Sequence, residues 1–322
     1  MSTKEKVKII FDTDIGGDCD DAGALAMLHR LCDLGEAELL AVTACYASPY
    51  VAGCIDAINR YYGRIVPVGI NYAAKTDGGG VYAGPLCTEF PNRYPAETYG
   101  TANAAPDTLV LLRQLLADAD DHSITLTATG SMASLARLVQ SPADDISPLT
   151  GRELIERKVL RTVVMGGRFF GSWPMPVMVG DLAVRAEWNI KADIPASQIL
   201  CREWPGELIF SSYEIGLWCV TMKEYVKKAP QDDPVRRAYE LHPCGRLYGR
   251  ESWDHTALLY AVRPDAGYWN LHPHGRVTVD DEGVTRWNPE DGGKQTYLLP
   301  REDYDTVRQI IDDLVLPPVS AE

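Results

Sequence analysis

Five carboxylates in ten residues mark the stretch of this chain best equipped for chemistry, Asp12-Thr13-Asp14-Ile15-Gly16-Gly17-Asp18-Cys19-Asp20-Asp21. It follows directly on the apolar run Val7–Phe11, which reads as a buried strand, and the carboxyl end of a strand is where an open α/β sheet presents its ligands. The two glycines let the chain turn tightly, and Asp20 or Asp21 can cap a helix that starts with Ala22. A helix N-terminus stabilises one carboxylate by about 1 kcal/mol, too little to gather three or more of them. A bound cation or shared protons must supply the difference. Oxygen-only ligands favour Ca2+ or Mg2+ over zinc, and several carboxylates with main-chain carbonyls lean towards Ca2+. The alternative, turn and cap residues facing water, is the better reading of any single Asp and the poorer reading of the whole cluster.

The elements that must position these groups follow from the alternation of apolar and amphipathic stretches. Val7–Phe11, Leu39–Ala44, Val66–Ile70, Ile124–Thr127 and Val159–Met165 read as strands. Leu25–Leu34, Val51–Tyr62, Thr108–Ala117 and Met132–Val139 read as helices between them. Strand and helix in repetition imply an α/β, Rossmann-like fold with a mostly parallel sheet covered on both faces. The last third reads as helices around Tyr225, Tyr239 and Thr256, a hairpin through Asp280-Asp281-Glu282-Gly283, a strand near Tyr297–Leu299 and a closing helix. That helix places Tyr304, Val307, Ile311 and Leu314 on one stripe. Asn71–Pro106 and Gly166–Gly180 lack periodicity and read as binding loops or surface insertions. No proline-rich or serine-rich linker divides the chain, so one domain over residues 1–322 is expected.

Composition narrows the partners. With 45 Asp plus Glu against 31 Lys plus Arg, a surface built to neutralise nucleic-acid phosphates is not expected, and a small, weakly charged substrate fits better. No apolar run approaches the roughly 20 residues of a membrane span and Met1–Lys8 has no apolar signal core, so a cytoplasmic protein without membrane contact is expected. The eight cysteines are scattered with no CxxC pair, the pattern of reduced thiols rather than a disulfide framework or a zinc site.

The aspartate segment resembles the N-terminal signature of the inosine-uridine-preferring nucleoside hydrolases, in which a strand ends in Asp-x-Asp-x-Gly and a helix opens with Asp-Asp-Ala. Asp12, Asp14, Gly16, Asp20, Asp21 and Ala22 match, with two extra residues, Asp18 among them, before the pair. Further resemblances follow in the family's order. They are Ala128-Thr129-Gly130-Ser131, then Val163-Val164-Met165-Gly166-Gly167, then Ala186-Glu187-Trp188-Asn189-Ile190 with Asp181 upstream, and finally Trp253-Asp254 followed by Ala257. Together they cover roughly residues 7 to 265.

The resemblance implies a nucleoside hydrolase fold and hydrolysis of the N-glycosidic bond of a ribonucleoside. Asp14, Asp21, the Thr129 carbonyl and Asp254 would hold Ca2+, with the ribose hydroxyls completing the shell. Asp20 is the candidate base for a water whose pKa the metal lowers, and Asp12 and Asp18 are expected around the metal ligands rather than on the metal. Glu187, Asn189, Asp181, Met165 and Trp253 would line the nucleoside. A site that pairs ribose hydroxyls rejects deoxyribose, because a missing hydroxyl leaves buried polar groups unpaired. The family resemblance also implies a homodimer or homotetramer.

Asp181 stands where the family usually has Asn, and two further positions depart from the family pattern. Ser48 stands where many members have Asn, and Trp253 stands where many have a His that protonates the leaving base. Trp253 cannot deliver a proton but could stack on a base. His255, His242, Tyr82, Tyr225 and Tyr248 are the other candidate donors, and nicotinamide riboside and unusual N-ribosides stay in play as substrates. Two rival readings remain: a nucleoside- or ribose-binding protein with little turnover, and a phosphatase. Asp12-Thr13-Asp14 also resembles the start of a haloacid-dehalogenase-type phosphatase, although Gly16 stands where that family has Thr or Val.

Overall fold

Along the first strand, β1 (Val7–Thr13), Ile9 and Phe11 pack into one apolar cluster and Ile10 into another, each almost wholly buried. Alternate residues of a strand point to opposite faces, so both faces of this one are covered. The computed structural model describes residues 5–75, 80–89, 105–169, 186–301 and 304–316. The other strands are β2 (Ala37–Ala44), β3 (Val68–Ile70), β4 (Ile124–Ala128), β5 (Val159–Met165), β6 (Leu208–Ser211), β7 (Val220–Thr221), β8 (Arg250–Glu251), β9 (Trp269–Leu271), β10 (Arg276–Val279), β11 (Thr285–Asn288) and β12 (Gln295–Pro300).

The main sheet has eight strands in the order β3-β2-β1-β4-β5-β6-β12-β9. All neighbours are parallel except β12 and β9. The order reverses at β1, whose neighbours are β2 on one side and β4 on the other. In a doubly wound sheet that reversal opens a crevice outside the carboxyl ends of the two strands, and ligands bind there. β1 ends at Thr13 and β4 at Ala128, so Asp14 and Thr129 both emerge into this crevice.

The mostly parallel α/β sheet and its flanking helices agree with the sequence reading, as do the hairpin of β10 and β11 and the closing helix Tyr304–Val315, which buries Val307, Ile311 and Leu314. The expected loop Asn71–Pro106 contains a short helix, Ala83–Glu89, hidden from periodicity by its length and by Pro85. The helix Gly151–Lys158 was also not expected. Its signal was the capping box Thr150 to Glu153, whose reciprocal side-chain bonds the structure contains. Most of the second aperiodic segment, and Asp181 with it, lies outside the described residues.

Candidate functional site

Register fixes the first contacts. Asp12 pairs with Thr43 across β1 and β2, and the Thr43 hydroxyl donates to Asp12 Oδ1 at 2.5 Å. Asp12 Oδ2 is buried without a partner, and burial pushes this carboxyl up to about 7 against the lowering effect of the Thr43 hydroxyl. The unfolded carboxyl titrates near 4, so between pH of about 4 and about 7 the folded chain holds the extra proton and stability falls as pH rises. Asp12→Asn is therefore expected to remove part of that fall, on the order of 2 kcal/mol at pH 8, in urea unfolding of chelator-treated protein from pH 5 to 8.

One residue further, Thr13 donates its hydroxyl to Asp21 and accepts from the amide of Ile15 at 3.1 Å. Asp20 and Asp21 open the helix Asp20–Asp33, while Asp254 lies in the first turn of the helix Trp253–Val262. One carboxylate oxygen from each of these three lies within 4.8 Å of the others, and each residue is at most 3% exposed. The amide of Asp254 donates to Asp20 Oδ2 at 3.3 Å, joining parts of the chain 234 residues apart.

Burial holds the carboxyls of Asp20 and Asp254 well above the usual range, helped by the charges of Asp18 and Asp21 on Asp20 and by those of Asp20, Asp21 and Asp14 on Asp254. Burial followed by the charge of Asp21 does the same to half-buried Asp14. Asp21 is raised less, to about 6, because burial is offset by the Thr13 hydroxyl. When ionised, groups crowded in this way are acceptors only, and the cation beside them, Arg250 acting on Asp20, offsets a single member, so the set is donor chemistry that a hard divalent cation fits. Asp14 stands beside the compact trio rather than within it, its charge acting on Asp21 and Asp254.

Thr129 reaches the same place from β4, its hydroxyl 3.5 Å from Asp21 Oδ1. The following Gly130 allows this approach, since a Cβ there would lie 2.6 Å from Cys45 Sγ and 2.9 Å from the amide nitrogen of Asp14. Asn189 donates its amide to the Thr129 carbonyl at 2.8 Å and to the Met165 carbonyl at 3.2 Å. Glu187 caps the short helix Trp188–Ala192, accepting from the amides of Asn189 (2.9 Å) and Ile190 (3.2 Å) and from Gly167 (3.2 Å). Burial raises its carboxyl to about 7 against those three donors. Glu187, Asn189, Met165 and Thr129 thus form one connected wall beside the carboxylates.

Other expected residues turn elsewhere. Asp18 does not join the trio: its carboxylate takes a bidentate pair from Arg250, at 2.8 and 2.6 Å. Burial works to raise this carboxyl, but Arg250 holds it below the usual range. Ser48 accepts from the amides of Tyr50 and Val51, in the turn that leads into the helix Val51–Tyr61.

Trp253 donates its indole N–H to the Tyr213 carbonyl at 2.9 Å, stacks on the Tyr213 ring, and has the Arg250 guanidinium 4.8 Å from its centroid. His255 is wholly buried against Gly23 and Tyr239 with neither ring nitrogen bonded, and burial lowers it to about 3. His242 accepts from the Gly245 amide at 3.2 Å and turns Nε2 towards Asp18 at 3.6 Å. Tyr82 donates to the Asp18 carbonyl and Tyr225 to Asp233, both buried, while Tyr248 is exposed. Sequence reasoning missed Thr13, Thr43 and Arg250. Only the two threonines left a signal, as hydroxyls at strand ends facing carboxylates.

The eight cysteines are all free, six of them buried, and no described helix is long and apolar enough to cross a membrane. No curated protein sequence matches the chain. Solved structures do. A plant nucleoside hydrolase is 18% identical with a TM-score of 0.68, covering 97% of this chain and 99% of its own. An inosine-uridine preferring nucleoside hydrolase from Bacillus anthracis is 21% identical with a TM-score of 0.68, covering 96% and 98%. A purine-preferring ribonucleoside hydrolase from Gardnerella vaginalis is 17% identical with a TM-score of 0.65, covering 96% and 98%. At such identities the likeness establishes the fold. The family model described as inosine-uridine preferring nucleoside hydrolase matches residues 9–296, nearly the whole span from β1 to β12, and the chain belongs to that family of hydrolases.

Proposed function

We propose that this protein hydrolyses the N-glycosidic bond of a ribonucleoside or related N-riboside to free base and ribose, with a single Ca2+ held by Asp14, Asp21, the Thr129 carbonyl and Asp254. The observation that carries this reading is the meeting of buried Asp20, Asp21 and Asp254 oxygens within 4.8 Å at the crevice beside β1 and β4. A cation there would acidify a water and bind the two ribose hydroxyls.

The chain's own residues supply the rest. Asp20 would take the proton from the attacking water: among the described residues its Oδ2 accepts only the long bond from the Asp254 amide, and burial keeps its proton affinity high. Glu187 and Asn189 would receive the ribose hydroxyls, with Met165 behind them. Asp12 and Thr13 would hold the cluster from behind, as their bonds to Thr43 and Asp21 support. Asp181 would complete the sugar pocket, and Trp253 would lie on the base side.

The reading treats residues 1–322 as one nucleoside hydrolase-like domain, supported by the first strand, β1, and the last, β12, sharing one eight-stranded sheet. It takes the protein to be cytoplasmic, which the eight free thiols support, and to assemble as a homodimer or homotetramer as the family resemblance implies. A panel of ribonucleosides and nicotinamide riboside incubated with Ca2+ tests it. Free ribose is expected from at least one substrate, with the matching 2′-deoxynucleoside slower by at least about a hundredfold. Trp253 in place of a proton-donating His favours a second reading, a riboside-binding protein with little turnover. Calorimetric binding of ribosides with no released sugar would establish that instead.

A further inference from the structure

The two residues that this chain inserts before Asp20-Asp21 bring Asp18 against Arg250, 232 residues away in sequence. The pair is charge-assisted and bidentate, with Nε to Oδ1 at 2.8 Å and Nη2 to Oδ2 at 2.6 Å, and both side chains are largely covered. Each half is itself anchored. On the Asp18 side, Tyr82 donates its hydroxyl to the Asp18 carbonyl at 2.8 Å and its amide to the Gly16 carbonyl at 3.0 Å, and the Cys19 amide donates to Asp18 Oδ1.

On the other side, Arg250 belongs to the two-stranded pairing of β8 with β7. Gly249 admits that pairing because its φ is +86° and a Cβ there would lie 2.0 Å from the Thr221 carbonyl oxygen. Ser252 continues the lock, its amide donating to the Cys219 carbonyl and its hydroxyl meeting that of Thr221 at 2.6 Å. Two residues before Asp20 and four before Asp254, the ion pair therefore fastens together the two arms that carry the carboxylates.

We infer that the Asp18–Arg250 pair is a positioning clamp for the cation site, holding the Asp20-Asp21 arm and the Asp254 arm at ligand distance. The inference rests on the proposed metal site. Charge alone makes a different prediction. Deleting Arg250 removes a positive charge beside the carboxylates and would tighten cation binding, whereas deleting Asp18 removes a negative one and would weaken it. A clamp predicts the same sign for both, because either deletion frees the arms. It also predicts that losing both partners costs little more than losing one, since residues acting as a unit are not additive.

The test is calorimetric titration of chelator-stripped full-length protein with CaCl2, for native chain, Asp18→Asn, Arg250→Met, the double variant and Arg250→Lys. Circular dichroism in EGTA checks that each is folded. The clamp predicts at least tenfold weaker Ca2+ binding in both single variants, a similar loss in the double variant, and a smaller but measurable loss in Arg250→Lys, which keeps the charge but not the fork. Tighter binding in Arg250→Met, or native affinity in the double variant or in Arg250→Lys, overturns the clamp and leaves the metal site standing. Should Arg250→Met not fold, Arg250→Lys and Asp18→Asn decide the matter. Absence of Ca2+ binding by the native chain overturns both the clamp and the site it serves.

Discussion

Asp20→Asn is expected to lower kcat for ribose release by at least about a thousandfold, at the upper end of what one positioned base contributes, while Ca2+ affinity changes by less than about tenfold. The asymmetry follows from its place. Asp20 is one of the carboxylate trio, yet among the described residues its Oδ2 accepts only the long 3.3 Å bond from the Asp254 amide, leaving an oxygen to receive a proton. Asn is isosteric, keeps an acceptor for that amide and cannot take up the proton at neutral pH. Asp21→Asn, by contrast, replaces an oxygen bonded by Thr13 and is expected to lose Ca2+ and turnover together. Steady-state kinetics beside Ca2+ titration separate the two outcomes. Equal kcat in native and Asp20→Asn enzymes would remove Asp20 from the base role.

The second large effect is removal of the cation. Four carboxyls gathered at one end of the sheet have raised proton affinities, chiefly because they are buried and further because of neighbouring negative charges. Chelation with EGTA is expected to abolish turnover and to lower stability. Restoring Ca2+ to about a thousand times its dissociation constant should return about 4 kcal/mol by mass action alone. The sign with pH follows from the same groups. Their folded pKa values lie above the unfolded value, so what these carboxyls contribute to the stability of the stripped protein is greatest at low pH and falls as pH rises through the folded values. Protons compete with the cation for these oxygens, so the gain in unfolding midpoint on adding Ca2+ should be larger at pH 8 than at pH 5.5. Asp254→Asn should remove most of that gain.

How much of this was legible beforehand divides along a physical line. Strands β1 to β5 were legible because each is an apolar run largely buried on both faces, whereas the short β6 and β9 of the same sheet were not read, being only four and three residues long. The Asp12–Asp21 segment was legible because five like charges behind a buried strand demand an explanation within the segment itself. The Asp18–Arg250 pair was not, because an ion pair across 232 residues leaves no local trace. Asp18 was expected among the residues around the metal ligands, and a guanidinium at 2.6 Å claimed it instead. Glu187 and Asn189 were expected as partners of a sugar. In the described structure Glu187 is occupied by three backbone amides and Asn189 by two carbonyls, so their capacity to meet a sugar lies in exchanging or sharing those bonds.

The most direct measurement of the central claim is a calorimetric titration of Ca2+ into the stripped chain, native and Asp254→Asn side by side. One site per chain in the native protein, weakened at least about a hundredfold in the variant, is the expected result, because Asp254 is the single ligand contributed from outside the first loop and Thr129. Absence of binding to the native chain, or equal affinity in the two proteins, would contradict the convergence of Asp14, Asp21, Thr129 and Asp254 on one ion.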